Sequence, residues 1–276
     1  MSSRVLGMID EASLHVMTFN VRRPLGRFAL RRADRWAERR EPLFRMLRTE
    51  RPAILGCQEV MPEQLPTLTE ALGDGYAFVG HGRSKRGDGE SCPLFFDEHR
   101  LELREWSQTA LSDRPHEPGS RSWGNLIPRV LVTGVFLDRR SGGHLCVMNT
   151  HLDPFSSRSR VRAAEAIRID ARARGIPTVI VGDANASPGS RTARALLGRG
   201  ELRDAWLAAD ARTTPEWGTL AGYRPPRPGA RIDWIVTTPD VGVRTIGIGG
   251  QPTSGGWPSD HLPVHAEVHV DAKEAT

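Results

Sequence analysis

Short apolar segments of strand length recur along the whole sequence, and they constrain the possible fold more than any other feature. They cover residues 15–20, 53–57, 77–80, 92–96, 129–137, 145–150, 178–182, 232–237 and 263–270. Segments with helical spacing lie between some of them, at 41–48, with Pro42 expected in the first turn, and at 157–174. Strands joined only in part by helical crossovers predict an α/β (α+β) fold with mixed sheets.

Polar residues stand at the ends of these apolar runs or just beyond them. They are Asn20, Glu59, His151, Asp183 with Asn185, and Asp260 with His261. Strand ends and the loops that follow them are where α/β folds assemble binding and catalytic sites. Asp183 and Asn185 are two residues apart, so extended backbone would point both side chains to one face. The same spacing predicts one shared face for Asn149, His151 and Asp153.

These residue types suit a hard divalent cation and a phosphate group. Mg²⁺ takes oxygen ligands and uses one or two carboxylates, which Glu59 and Asp260 can supply. Asn20 and Asn185 can bind a metal, phosphate or water without adding charge, and histidine can transfer protons near neutral pH. Each group alone has an ordinary explanation, such as a turn or a structural histidine, so the prediction rests on the set in its order.

Charge, cysteine content and hydropathy narrow the class of protein without deciding it. The formal charge is +5, and all but two of the 38 basic residues are arginine, which fits a nucleic-acid partner or a solvated surface. The three cysteines, Cys57, Cys92 and Cys146, form no CxxC pair and are expected to be buried thiols. Without an apolar run of membrane length or a signal-like start, we expect a cytoplasmic protein with no membrane partner.

A long segment at 112–128, rich in Pro, Gly and Ser, is predicted to be a loop. Two interpretations of it remain open. Trp123, Asn125 and Arg129 could supply stacking and phosphate contacts to a substrate, together with Arg121. Alternatively, Trp123 packs the loop onto the sheet and the arginines are solvated. Arg162 could point toward the site or lie on the surface.

Six sequence blocks together resemble the endonuclease/exonuclease/phosphatase superfamily, whose members have a deoxyribonuclease I-like fold. They are the blocks at 18–21, 55–60, 149–153, 181–185, 231–235 and 259–263. The residues in these blocks are most similar to those of the deadenylase and nocturnin branch and of uncharacterised bacterial relatives. The resemblance implies a four-layer αββα sandwich of two mixed sheets flanked by helices. It also implies one domain over residues 1–276, with a core at about 13–270.

The resemblance assigns a metal site and one side of a phosphate site. Glu59 is the implied principal ligand of Mg²⁺, with Asn20 and Asp260 nearby, and Mn²⁺ is a plausible substitute. His151 is expected to face the phosphate from one side. In deoxyribonuclease-like relatives a glutamate pairs with this histidine, and Glu90 is the candidate here.

The resemblance also implies which residues activate the attacking water. Asp183 and Asn185 would orient or deprotonate the water, and His261 would contact the phosphate or act as the base. Asp233 would orient His261 through its other ring nitrogen. Family members usually carry an aromatic residue where this chain has Ala184, whose side chain is expected to point away from the site into packing.

These residues predict a Mg²⁺-dependent phosphoesterase. They favour a phosphodiesterase or nuclease over the alternative, a phosphomonoesterase that acts on nucleotide, sugar or inositol phosphates. Val60 and Met61 stand where abasic-site endonucleases carry a lysine, and the Cys-Asp-Arg block of inositol 5-phosphatases is missing. We expect a monomer that acts on a phosphate-ester substrate, with nucleic acid and nucleotides among the candidates. The alternative from another class is a non-catalytic phosphate- or nucleic-acid-binding module. Glu59, Asp260 and His261 argue against it, because degenerate relatives would be expected to lose such groups.

Overall fold

The computed structural model describes residues 4–26, 29, 31–250, 252 and 256–270. The strands are β1 Leu14–Asn20, β2 Ile54–Gln58, β3 Tyr76–Val79, β4 Leu94–Asp97, β5 Leu101–Ala110, β6 Val130–Asp138, β7 His144–His151, β8 Thr178–Asp183, β9 Arg203–Asp204, β10 Ala211–Arg212, β11 Asp233–Thr237, β12 Val241–Ile248 and β13 Val264–Val270. The helices are α1 Trp36–Glu50, α2 Leu65–Leu72, α3 Ser157–Ala173, α4 Arg191–Leu197 and α5 Ala205–Ala208.

The strands form two mixed sheets that pack face to face. The first sheet has the order β10-β12-β13-β1-β2-β4-β3, and the second has the order β5-β6-β7-β8-β11-β9. In the first, β1 is parallel to β2 and antiparallel to β13. In the second, β7 is parallel to β8 and antiparallel to β6. The predicted mixed α/β architecture is therefore confirmed.

Helices cover the outer face of each sheet, which gives four layers. Leu43 and Leu47 of α1 pack against Met17 and Phe19 of β1, whereas Val16 of the same strand faces the other sheet. On the second sheet, α3 and α4 cover an apolar cluster contributed by β7, β8 and β11. Because the central strands are buried on both faces, they are nearly continuous apolar runs, and this is why the sequence shows them clearly.

A buried amide joins the two sheets below the polar strand ends. Asn149 of β7 donates through Nδ2 to the carbonyl oxygens of Cys57 at 2.8 Å, Cys92 at 3.1 Å and Pro93 at 2.9 Å. Its Oδ1 accepts a hydrogen bond of 2.8 Å from Gln58 Nε2. These bonds satisfy polar groups that have no access to water, so they fix the relative position of β2, β4 and β7.

The first helix begins earlier in the structure than the sequence predicts. Helix α1 begins at Trp36, so Pro42 lies inside it and not in its first turn. The start of α1 is rich in arginine and lacks apolar residues at helical spacing. The sequence pattern therefore does not predict its first turn and a half. Strands β5 and β12 and helices α2 and α4 have no counterpart among the predicted segments. For β5 the reason is that it is an edge strand with mostly polar, partly exposed residues.

Two predictions about residue environment can be compared directly with the structure. Cys57, Cys92 and Cys146 are buried free thiols, as expected. Ala184 is buried in the apolar cluster beneath α3 and α4, also as expected. None of the helices in the described ranges is long and apolar enough to cross a membrane.

Gly56 provides a test of how closely the two sheets approach. A Cβ at this position would lie 2.4 Å from Val181 Cγ2 and 2.9 Å from Asn149 Oδ1. We expect Gly56→Ala to lower the free energy of unfolding by roughly 1–3 kcal/mol, because the packed interface cannot yield to the added methyl group. Urea unfolding followed by circular dichroism measures this change.

The matched control is Gly143→Ala in the turn between β6 and β7, where a Cβ would meet only Ser141 Oγ at 3.3 Å. An unfolding midpoint for Gly56→Ala equal to that of the control would show that the sheets are not this tightly apposed.

Candidate active site

The central strands of both sheets end at the same side of the sandwich. Parallel strands β1 and β2 end at Asn20 and Gln58, and parallel strands β7 and β8 end at His151 and Asp183. Carboxyl ends of parallel strands share one sheet edge, so the polar residues that end these runs come together.

Asn20 connects the polar groups of one sheet to those of the other. Its side chain is fully buried, and Nδ2 donates to Glu59 Oε1 at 3.2 Å and to Asp183 Oδ2 at 3.0 Å. Its Oδ1 accepts the backbone N–H of Arg22 at 2.9 Å. One amide therefore fixes two carboxylates from different sheets relative to each other.

Asp183 Oδ2 is the atom on which the two histidines converge. His151 Nε2 lies 3.7 Å from it and His261 Nε2 lies 3.9 Å from it. Both distances are too long for direct hydrogen bonds and leave room for an atom of a bound molecule. Burial and the neighbouring charge of Asp233 raise the pKa of Asp183 above its usual range.

His261 is oriented by a buried carboxylate. Asp233 stands opposite Asp183 in the pairing of β11 with β8, and its Oδ2 accepts a 2.9 Å hydrogen bond from His261 Nδ1. Burial acts to lower the pKa of His261, but the charge and hydrogen bond of Asp233, with Asp183 and Asp260 adding to them, raise it to about 10. The ring therefore presents a protonated Nε2 toward Asp183.

Glu59 is held ionised beside this group. It directly follows β2 with a left-handed backbone, φ 60°, and its Oε2 accepts the backbone N–H of Arg23 at 3.0 Å. Burial acts to raise its pKa, yet His151, the Arg23 N–H and Arg22 together hold the pKa at about 2. The left-handed turn is what directs the carboxylate back toward Asn20.

A positive group lies between Glu59 and Asp260. Arg22 Nη1 is 3.9 Å from Glu59 Oε2, and its Nε is 3.5 Å from Asp260 Oδ2. Two carboxylates with an amide nearby form the type of oxygen-rich set that binds hard divalent cations, and here they attract a guanidinium. The donor chemistry at this position therefore fits a divalent ion.

A second group of potential ligands lies deeper in the site. One ligand atom from each of Asp183, Asp233 and His261 falls within 4.8 Å of the others. The site thus contains carboxylate and imidazole groups that can bind a divalent metal ion.

Glu90 lies on the other side of His151 and is held by arginine. Arg83 pairs with both of its oxygens, at 2.7 Å from Nη2 to Oε2 and 2.5 Å from Nη1 to Oε1. His151 Nδ1 is 3.7 Å from Glu90 Oε1, and Arg23 Nη1 is 3.8 Å from Oε2. Arg83 has no sequence motif of its own and reaches Glu90 only through the fold of the loop between β3 and β4, so no local pattern predicts its role.

The same-face prediction for Asp183 and Asn185 is wrong. Asn185 has a left-handed backbone, φ 47°, so the chain is no longer extended there. Its N–H donates to Asp183 Oδ1 at 2.8 Å, and its side chain donates to the carbonyl oxygen of Leu152 at 3.0 Å. The pair forms a turn capped by the aspartate, a common use of Asp before a tight bend.

The same-face prediction for Asn149, His151 and Asp153 is wrong for Asp153, whereas Asn149 and His151 lie two residues apart within β7 and share a face. Strand β7 ends at His151, and Asp153 lies beyond it in a loop. There its Oδ1 accepts the backbone N–H groups of Phe155 at 2.9 Å and Ser156 at 2.7 Å. Asn149 belongs to the link between the sheets.

The segment 112–128 contains no helix or strand, as predicted, and Trp123 packs it onto the second sheet. The indole is buried, and its Nε1 donates to Asp113 Oδ1 at 2.7 Å. The half-exposed Arg162 lies over the ring, with Cζ 5.8 Å from its centroid. The burial of Trp123 therefore favours the packing interpretation for this residue over stacking on a substrate.

Asn125 and Arg129 are buried as well. Asn125 Nδ2 donates to the carbonyl oxygen of Ile127 at 2.8 Å. Arg129 lies against the end of β7, with Nη1 3.4 Å from the carbonyl oxygen of His151 and Nε 3.5 Å from Asp153 Oδ2. Arg129 therefore lies against the end of the strand that carries His151.

Comparison with known proteins agrees with this geometry. The sequence profile of the Endonuclease/Exonuclease/phosphatase family matches residues 17–261. The chain belongs to this family. Its members are phosphoester hydrolases, and this chain is an enzyme of that class. A comparison with curated proteins gave no match.

Solved structures of the family are similar over nearly the whole chain. A family protein from Bacteroides thetaiotaomicron is 27% identical, with 94% of this chain and 98% of that chain covered and a TM-score of 0.85. A mannosyl-6-phosphatase from the same organism is 28% identical, with 93% and 99% covered and a TM-score of 0.82. The human nocturnin catalytic domain with bound sulfate shares the fold at 21% identity, with 94% of each chain covered and a TM-score of 0.69.

The pairing of Asp233 with His261 gives a direct electrostatic test. In Asp233→Asn we expect the pKa of His261 to fall well below about 10, because the charge and strong hydrogen bond that offset burial are both lost. Imidazole chemical shifts followed by NMR across a pH titration of EDTA-treated protein measure it. The exposed Asp74→Asn is the control, and a His261 titration equal in both variants would refute the assignment.

Proposed function

We propose that this family member is a Mg²⁺-dependent phosphodiesterase that hydrolyses a phosphate diester by in-line attack of water. One observation carries the proposal: Asp183 Oδ2 lies between the Nε2 atoms of His151 and His261 and is joined through Asn20 to Glu59. A buried carboxylate between two imidazoles, next to an ionised glutamate, can bind a phosphate and activate water at one point.

Glu59, Asn20 and Asp260 would hold the metal ion, with Mn²⁺ able to substitute for Mg²⁺. When bound, the ion supplies polarisation of a phosphoryl oxygen and offsets negative charge that develops in the transition state. Arg22 lies between the two carboxylates and supplies positive charge beside the position of the ion. Arg23, which is half-exposed beside Glu90, adds positive charge at the same edge.

The remaining groups act on the phosphate and the water. His261, kept protonated by Asp233, donates from Nε2 to a phosphoryl oxygen, and His151 approaches from the opposite side. Asp183 accepts the proton of the attacking water, because its raised pKa makes it a stronger base than an ordinary carboxylate. Asn185 fixes Asp183 through the capped turn, and Glu90 supports His151 from its Nδ1 side.

A second candidate activity is hydrolysis of a phosphate monoester. It is favoured by the 28% identical relative described as a mannosyl-6-phosphatase. The same side chains serve both reactions, since both require a phosphate held between the imidazoles. The two activities differ in what the site must accommodate: a diesterase accepts a second ester group, whereas a monoesterase binds a dianionic terminal phosphate.

The metal requirement and the acid–base groups can be tested with bis-p-nitrophenyl phosphate. We expect hydrolysis with Mg²⁺ or Mn²⁺ that EDTA abolishes. His261→Gln and Asp183→Asn should lower kcat by about 10²–10⁴-fold, because each removes a proton-transfer or charge-stabilising group. Glu59→Gln should lose activity at low Mg²⁺, with Glu70→Gln on the exposed face of α2 as its control. Turnover that is independent of EDTA, or unaltered in the site variants, would refute the proposed function.

The substrate class can be tested with paired esters. At matched concentrations, a diester such as bis-p-nitrophenyl phosphate or a dinucleotide should give a higher kcat/KM than p-nitrophenyl phosphate or a hexose 6-phosphate. The reverse order would replace the phosphodiesterase assignment with the monoesterase one. Phosphate binding without turnover of any ester in this panel would indicate a binding module on the same fold.

A further inference from the structure

A second cluster of metal-ligating side chains lies away from the candidate active site. One ligand atom from each of His15, Glu50 and His265 falls within 4.8 Å of the others. His15 is near the start of β1 and Asn20 is at its end, so the two sites are separated by about 17 Å along the strand. The cluster lies between the C-terminal end of α1 and the outer face of the first sheet.

The three side chains are buried where α1 packs on the first sheet. His265 is fully buried, and His15 and Glu50 are 5% and 4% exposed. Leu43, Leu47 and Met17 form the same helix–sheet interface. Burying three ionisable groups is costly unless each finds a partner, so an interface of this kind needs a specific reason for them.

Hydrogen bonding within the described residues leaves part of this cluster unsatisfied. His15 Nε2 and His265 Nδ1 are 3.0 Å apart, and Glu50 Oε1 accepts the N–H of Val5 at 3.1 Å. Glu50 Oε2, however, has no hydrogen-bond partner in the part of the chain that the structure describes. It lies 3.8 Å from His265 Nδ1, beyond hydrogen-bond range, and thus points into the cluster without a partner.

We propose that His15, Glu50 and His265 form a structural zinc site. Tetrahedral zinc with bonds of about 2.0–2.1 Å separates neighbouring ligand atoms by roughly 3.3 Å, between the 3.0 Å and 3.8 Å separations seen here. Two imidazoles and one carboxylate are a zinc ligand set, whereas Mg²⁺ prefers oxygen alone. A water would take the fourth position.

The electrostatic environment supports this assignment. Burial, with a smaller effect from Arg4, lowers the pKa of His15 to about 3, and burial lowers that of His265 as well. Both rings are therefore neutral, which is the form that binds metal. Glu267 stands opposite His15 in the pairing of β1 with β13, so a further buried carboxylate lies on the same face to balance the charge of the ion.

The ion would link three parts of the chain that are separate in sequence. His15 belongs to β1, His265 to β13, and Glu50 is the last residue of α1. Through the Val5 N–H, Glu50 also holds the segment that precedes β1. Zinc would thus stabilise the helix–sheet junction at the end of the sandwich opposite the phosphate site.

Zinc content and cobalt spectra of the full chain test the proposal. Protein stripped with chelator and equilibrated with zinc is analysed for bound metal after gel filtration, as wild type and as His15→Gln, His265→Gln and Glu50→Gln. The exposed His144→Gln is the matched control. The double variant Glu59→Gln with His261→Gln removes ligands of the candidate active site. We expect wild type and His144→Gln to retain about one equivalent more zinc than the three cluster variants.

The double variant should keep the cluster-bound equivalent, and with Co²⁺ it should show the visible absorption of a tetrahedral ion. Zinc should also raise the Tm of the double variant, but not that of the triple variant in which His265→Gln is added to it. If the double variant binds no zinc and gives no such cobalt spectrum, the proposal fails, whatever the folding of the cluster variants. Equal zinc content in folded His265→Gln and wild type would also overturn it.

Discussion

The candidate site depends on one buried amide, that of Asn20, which joins Glu59 at the end of one sheet to Asp183 at the end of the other. Two carboxylates this close would repel each other, and a neutral donor between them removes that cost while fixing their separation. The apposition is possible because Gly56 lets the sheets approach and because Asn149 ties β2 and β4 to β7 just below. The site geometry is therefore a consequence of how the two sheets pack.

Neighbouring charges and hydrogen bonds give the site carboxylates different pKa values, although burial acts to raise the pKa of both Glu59 and Asp183. Glu59 receives a backbone N–H and the charges of histidine and arginine, which keep its pKa at about 2. Asp183 is deeper, faces the negative charge of Asp233, and has a raised pKa. In active sites, two carboxyl groups with different pKa values often have different roles. The different pKa values of Glu59 and Asp183 therefore support metal binding by Glu59 and proton transfer by Asp183.

Much of the fold and the identity of the polar strand-end residues could be predicted from the sequence, because strands buried on both faces leave long apolar runs that end abruptly. The edge strand β5 and the first turn of α1 were missed, since their polar composition hides the period. Side-chain direction beyond a strand end was not predictable: Asn185 and Asp153 follow local turns and caps instead of the extended geometry. Arg83 and the His15–Glu50–His265 cluster depend on contacts between residues distant in sequence, which no local pattern reports.

The most direct measurement of the central claim is anomalous diffraction from a crystal of the protein equilibrated with Mn²⁺ and phosphate or vanadate. The proposed function predicts Mn²⁺ against the carboxylate of Glu59, and the oxyanion between the Nε2 atoms of His151 and His261, within hydrogen-bond distance of both. An ion bound away from Glu59, or an oxyanion that contacts neither imidazole, would contradict the account.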